Sequence, residues 1–168
     1  MQKKGIPRRY IDLVKDMYVD ISKNMRTCGG LTKGFPITIG LHQGSALSPF
    51  LFATVIDEIT RPIQEEVPWC MLFADDIVLV DETRMRVNAK LEQWRQRLEF
   101  RGFKLSRNKT EYLECRFGKQ VRVYDEVVRL DGKDLSMSEY FKYLGSIIQK
   151  NGGIDQDIAY RIKSGWHK

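Results

Sequence analysis

The chain has 168 residues, enough for one domain that buries roughly 70% of its unfolded surface. Apolar residues make up 42% of it, which excludes gross disorder, and no apolar run reaches the roughly 18 residues a membrane span needs. Net charge is +6 and the pI is near 9.2, a balance that favours a polyanionic partner.

The charge is unevenly placed. Arg84 to Arg122 holds 12 Lys/Arg against 4 Asp/Glu, a surplus of +8 that leaves the remainder at −2. Cys28, Cys70 and Cys115 are odd in number and form no CxxC pair, which argues against a disulfide framework or a zinc site. They read as thiols in a reducing compartment. His42 and His167 are too few for a histidine metal site. The N-terminus lacks the apolar core of a signal peptide, so an intracellular protein, nuclear or cytoplasmic, is expected.

Pro7 suits the first turn of a helix, and Ile11, Val14, Tyr18 and Ile21 then fall three or four apart as one apolar stripe. Residues 1–6 are expected to fray, and a helix so near residue 1 suggests a chain cut from something longer. Asn24 to Cys28 and Phe35 to Ile39 read as short strands around Gly29-Gly30. Gly40 to Ser48 reads as a loop, with Ser48 as N-cap and Pro49 as the first residue of a helix. That helix is apolar over a wide arc and is expected to lie against a sheet, ending near Pro62 and Pro68.

Trp69 to Asp81 is two short apolar runs separated by Asp75-Asp76. A two-residue connection between strands normally wants Asn-Gly or Asp-Gly, so adjacent carboxylates there call for compensation. A divalent cation is one source; Mg²⁺ prefers oxygen ligands and is usually held by one or two carboxylates plus phosphates. The other reading is an exposed tip whose acids are solvated. Successive strand side chains alternate in direction, so only a turn brings both acids near one metal, with Asp75 as the main ligand.

A helix follows, with Val87, Leu91, Trp94 and Leu98 on one side and Arg86, Lys90, Arg95, Arg97 and Arg101 on the other; Gly102 suits its C-terminal end. Trp94 reads as core. Phe103 to Thr110 is a basic loop, Glu111 to Phe117 and Gln120 to Leu130 are strand-like, and Asp131-Gly132 signals a turn. Phe141 to Gly145 leads into a strand from Ser146. Ile154, Ile158 and Ile162 predict a last amphipathic helix, with 164–168 frayed. The pattern is α+β, mostly antiparallel, with helices packed on one face of the sheet, in one domain over 1–168.

Several spaced elements together resemble the palm of reverse transcriptases, most closely those of non-LTR, LINE-like retrotransposons. They are Gly40-Leu-His-Gln-Gly-Ser-Ala-Leu-Ser-Pro49, Phe73-Ala-Asp-Asp76, Gly102-Phe-Lys-Leu-Ser with Asn108-Lys-Thr110, and Phe141-Lys-Tyr-Leu-Gly145. They occur in the family's order and cover nearly the whole chain. The resemblance implies a polymerase-palm-like antiparallel sheet, a partial reverse transcriptase fold. It also implies RNA-directed DNA polymerase chemistry: nucleotidyl transfer at two Mg²⁺ ions (Mn²⁺ as a substitute) about 4 Å apart. The partners implied are an RNA template, a DNA primer and deoxynucleoside triphosphates.

By position, Asp75 and Asp76 match the metal-ligating pair, and Gln43 and Gly44 the loop against the incoming nucleotide. Lys109 matches the lysine that protonates or neutralises the leaving pyrophosphate, or else is a solvated lysine in a basic loop. Phe73 lines the nucleotide or primer side, or is core. Phe141, Lys142, Tyr143, Leu144 and Gly145 resemble the primer-contacting segment, or form a core strand. Arg86, Lys90, Arg97 and Arg101 are candidates for nucleic-acid backbone contacts.

The chain also departs from the family. The third catalytic carboxylate belongs to a strand that would precede Met1, and the fingers and thumb would lie outside the chain; Asp12, Asp16 and Asp20 have no motif match. A palm fragment inactive by itself is therefore expected. A non-catalytic nucleic-acid-binding remnant and a retrotransposon relic without selected function are the alternatives.

Overall fold

A computed structural model describes residues 1–37, 40–42, 44–115 and 127–166. A 3₁₀ turn at Gln2–Lys4 precedes Pro7. Pro7 caps α1 (Arg8–Asp16), which buries only Ile11 of the predicted stripe. Tyr18 and Ile21 lie beyond the helix. The β-branched residues Val19 and Ile21 propagate a helix weakly, and Asp20 between them sits at φ +52.

The next stretch is a two-stranded ribbon. β1 (Ser22–Lys23) pairs with β4 (Phe35–Pro36), and β2 (Arg26–Thr27) with β3 (Gly30–Leu31), both antiparallel. Two residues separate β1 from β2 and three separate β3 from β4, so the return strand carries one extra residue, a bulge. The Ile37 N–H to Ile21 carbonyl bond (2.8 Å) and the Thr32 N–H to Met25 carbonyl bond (2.9 Å) extend the ladder. A Cβ at Gly34 would lie 2.9 Å from the Asn24 Oδ1, so a larger residue there would make the exposed Asn24 side chain shift.

α2 (Ser48–Thr60) begins one residue earlier than predicted. Its first bond runs from the Leu51 N–H to the Leu47 carbonyl, and the Ser48 hydroxyl donates to the His42 carbonyl rather than capping the helix. Leu51 and Ile56 are buried, whereas Phe50 and Val55 are exposed, so the apolar arc is covered on one side only.

The chain forms two compact units, Met1–Glu58 and Ile59–Lys168, with the boundary inside α2. In the second unit a 3₁₀ turn (Arg61–Ile63) leads to β5 (Cys70–Phe73) and β6 (Asp76–Leu79), an antiparallel hairpin. α3 (Arg84–Glu99) is capped by the Thr83 hydroxyl, which accepts from the Arg86 N–H. Leu91, Trp94 and Leu98 are buried on its inner side, as their spacing predicts. β7 (Tyr112–Leu113) pairs in parallel with β10 (Met137–Ser138). β8 (Arg129–Leu130) and β9 (Lys133–Asp134) form a hairpin across the Asp131-Gly132 turn. Leu91, Val128 and Leu130 make a core cluster packed by Leu79, Val87, Leu105, Tyr112 and Leu135. The strand expected over Gln120 to Leu130 is described only at its end, and that over Glu111 to Phe117 only at its start.

β11 (Tyr140–Tyr143) and β12 (Ser146–Gln149) form the last hairpin, with α4 (Asp155–Trp166) packed on β12. α4 runs to Trp166. The class is α+β, as predicted. Among the described residues the strands make six two-stranded pairs, five antiparallel and one parallel. Most of these strands are two residues long, too short to carry a shared ladder. Among the described residues no helix is long and apolar enough to cross a membrane.

Candidate functional site

The Asp75-Asp76 hairpin is built by its flanking strands. Cys70↔Leu79, Met71↔Val78, Leu72↔Ile77 and Phe73↔Asp76 are in register, which makes Ala74-Asp75 the two-residue turn. The turn is therefore one residue earlier than the Asp-Asp pair itself. Asp75 occupies the tip, and Asp76 opens β6 on the same face as its cross-strand neighbour Phe73. The positive φ that a tight hairpin demands falls on Ala74, at +50.

Both carboxylates are exposed, and so is Phe73 at 57%. Phe73 is not core; it is the cross-strand neighbour of Asp76. β5 and β6 hold the pair firmly, because the opposite face (Cys70, Leu72, Ile77, Leu79) is buried or half-buried and Leu79 packs into the core under α3. Two carboxylates suit a hard cation that keeps water and phosphate as its remaining ligands. Among the described residues, no group of three or more His, Cys, Asp or Glu side chains is placed to hold a metal.

In the loop before α2, Gly44 has φ +85 and open space on its Cβ side. That conformation favours glycine over any L side chain. Gln43 lies outside the described residues. His42 is not among the site residues expected from the sequence; its ring lies 4.7 Å from that of Tyr18, and its Nε2 is buried without a hydrogen-bond partner among the described residues. Lys109 is exposed in a turn anchored on the Ser106 carbonyl, which accepts from the Lys109 N–H (3.1 Å) and the Thr110 N–H (2.9 Å).

Phe141 and Tyr143 sit on one face of the last hairpin with ring centroids 6.2 Å apart and nearly parallel planes. Both are half-buried. Leu144 and Gly145 form the turn, both at positive φ. Lys142 points to the other face, where its Nζ donates to the Tyr160 hydroxyl (2.5 Å) and stands 4.3 Å from that ring's centroid.

The four expected backbone-contacting cations separate into two kinds. Arg86 is mostly exposed, with looser pairs to Asp81 (3.5 Å) and Glu82 (4.0 Å). Arg101 is exposed beside the Phe100 ring. Lys90 needs correction: its ammonium is largely buried between Asp81 (2.9 Å) and Glu65 (2.8 Å) and donates to the Val80 carbonyl. Burial pushes the Asp81 carboxyl up, but its hydrogen bonds from Lys90 and the Glu82 N–H outweigh this and hold it below the usual range. Arg97 is half-buried and donates from Nε to the Ile59 carbonyl (2.8 Å) in the last turn of α2. Lys90 and Arg97 thus stabilise the fold. Nothing local in the sequence marks this, because Glu65 lies 25 residues from Lys90 and Ile59 lies 38 from Arg97.

Comparison with known proteins adds independent information. The family profile described as reverse transcriptase (RNA-dependent DNA polymerase) matches residues 1–148. The chain is 31% identical over 113 residues to the Retrovirus-related Pol polyprotein from type-2 retrotransposable element R2DM of Drosophila melanogaster, covering 62% of this chain and 11% of that protein. It is 30% identical over 134 residues to the Pol polyprotein from type-1 retrotransposable element R2 of Nasonia vitripennis (71% and 13%). An R2 polyprotein of Popillia japonica is 27% identical over 167 residues (90% and 28%). The chain thus spans from about a tenth to somewhat over a quarter of these relatives' length. No solved structure matches.

Proposed function

Because the chain belongs to the reverse transcriptase (RNA-dependent DNA polymerase) family, we propose that it supplies the metal-binding hairpin of an RNA-directed DNA polymerase palm. The observation that carries this reading is the tight β5–β6 hairpin, which presents Asp75 and Asp76 together at its exposed end. Asp75 and Asp76 would hold Mg²⁺ or Mn²⁺. When bound, the cation would supply Lewis-acid polarisation of phosphoryl oxygens and neutralise charge that builds on them. Phe73, exposed beside Asp76, offers an apolar surface to a nucleotide or primer end. Gly44, with its Cβ side open, leaves room for a triphosphate close to the backbone, and Gln43 would act beside it. Lys109, exposed on its turn, offers a cation for the leaving pyrophosphate. The aromatic face of β11 and the Leu144-Gly145 turn would support the primer, and Arg86 and Arg101 the template–primer backbone.

Two carboxylates alone hold a pair of metals loosely, and a primer hydroxyl misplaced by about 1 Å costs on the order of 10²-fold. We therefore expect this chain by itself to be inactive, or nearly so, in copying an RNA template. Primer extension with Mg²⁺ tests the assignment, comparing this chain with one that carries the flanking sequence of its relatives. Extension should appear in the longer chain and vanish with Asp75→Asn and Asp76→Asn together. Extension that survives the double substitution sinks the reading.

A further inference from the structure

The β1–β4 ribbon plays no part in the site above. We propose that it is a second nucleic-acid contact, a basic arm that grips the phosphate backbone of an RNA–DNA hybrid through Lys23, Arg26 and Lys33; this rests on the polymerase reading of the chain. Ile21 to Ile37 contains those three cations and no Asp or Glu. That composition stands out in the remainder of the chain, which is slightly acidic outside the Arg84 to Arg122 block.

Every residue from Ser22 to Pro36 is exposed. No described carboxylate pairs with Lys23, Arg26 or Lys33, whereas on α3 the cations Arg84, Lys90 and Arg95 each pair with an acid within 3 Å. An isolated two-stranded ribbon is marginal in water, and this one has no core of its own. The Thr27 and Thr32 hydroxyls bond within the ribbon, while its three cations are exposed and available to a partner.

The register shows what that partner should be. Lys23 lies directly opposite Phe35, and Met25 follows on the same face; Arg26 lies opposite Leu31 on the other. Lys23 and Arg26 thus each sit opposite an exposed apolar side chain, 40% exposed for Phe35 and 72% for Leu31. Cations meet phosphates while apolar groups lie against sugars and base faces. Ser22 and Asn24 add short polar groups of the kind that contact phosphate oxygens. The Lys33-Gly34 bulge turns the return strand and increases the local twist, which sets Lys33 off from the regular alternation. Such contacts carry affinity and little sequence choice.

The test measures binding of the full chain to an RNA–DNA hybrid by fluorescence anisotropy across about 50–200 mM salt. Lys23→Gln, Arg26→Gln and Lys33→Gln together should make the slope of log affinity against log salt shallower by about 2 to 3. The charge-preserving set Lys23→Arg, Arg26→Lys and Lys33→Arg should keep the wild-type slope. If the wild type binds the hybrid in a salt-dependent way and the glutamine variant keeps its slope, the ribbon is not a contact, while the polymerase reading stands. If both variants lose binding alike, the ribbon's charge is not the cause, and the inference fails. If the wild type shows no salt-dependent binding, both the inference and the nucleic-acid reading beneath it fall.

Discussion

The ammonium of Lys90 lies within 3 Å of both Asp81 and Glu65, with 13% of its side chain exposed and 8% of that of Asp81. Removing one partner of a buried pair leaves the other uncompensated, which is the expensive case. Lys90→Met should therefore destabilise the chain by about 2–4 kcal/mol, read as a drop in the urea midpoint. Arg101→Gln, at an exposed position, should change it by no more than about 0.5 kcal/mol. The pH dependence follows from the same residues. Asp81 titrates below the usual carboxylate range, and Glu92 is pulled down to about 2 by Arg95 and Gln96. A depressed folded-state pKa contributes stability above the unfolded value near 4, and that contribution is lost as pH falls through the folded value. Urea midpoints should hold between pH 7 and 5 and decline below pH 4, less steeply in Asp81→Asn. At the hairpin tip, Ala74 bears a positive φ that costs about 1 kcal/mol for an L residue. Ala74→Gly relieves that cost but makes the unfolded chain more flexible. The two effects nearly cancel, so the melting temperature should stay within a few degrees, whereas Ala74→Val should lower it.

Among the elements, α3 holds the second unit together. Trp94 is 2% exposed, and Trp94→Ala should cost about 3–5 kcal/mol and abolish a cooperative melt or lower it sharply. The spacing of Val87, Leu91, Trp94 and Leu98 makes that inner face readable from the sequence, because a helix repeats every 3.6 residues wherever it packs. The β5–β6 strands were readable for a similar reason: two short apolar runs with nothing but acids between them leave little except a hairpin. Its register was not. Whether the turn is Ala74-Asp75 or Asp75-Asp76 depends on which side chains pair under α3, and a one-residue slip would move Asp76 to the other face. α4 forms where its spacing predicts, but its isoleucine stripe faces outward. Ile154, Ile158 and Ile162 are 65%, 47% and 56% exposed, while Asp157 accepts from the Ile147 N–H and Arg161 donates to the Ser146 hydroxyl. A helix period says that a stripe exists, not which side of the helix meets the hairpin.

At the scale of the whole chain, the pattern of helix and strand signals placed it correctly among α+β proteins, and its ordered motifs matched the family that the R2 relatives represent. Both kinds of information are local, resting on residue types at fixed spacings along the chain, which no tertiary arrangement can alter. The tertiary structure alone decided which of the cations are available. Lys90 and Arg97 look like Arg86 and Arg101 in sequence, yet Lys90 is held by Glu65 and Arg97 by the Ile59 carbonyl, groups distant in the chain. It also decided that Phe73 is exposed beside Asp76 and that the Ile21–Ile37 ribbon stands with its three cations unpaired by any described acid. Burial and pairing are set by what folding brings together from far apart, and no spacing along the chain encodes them.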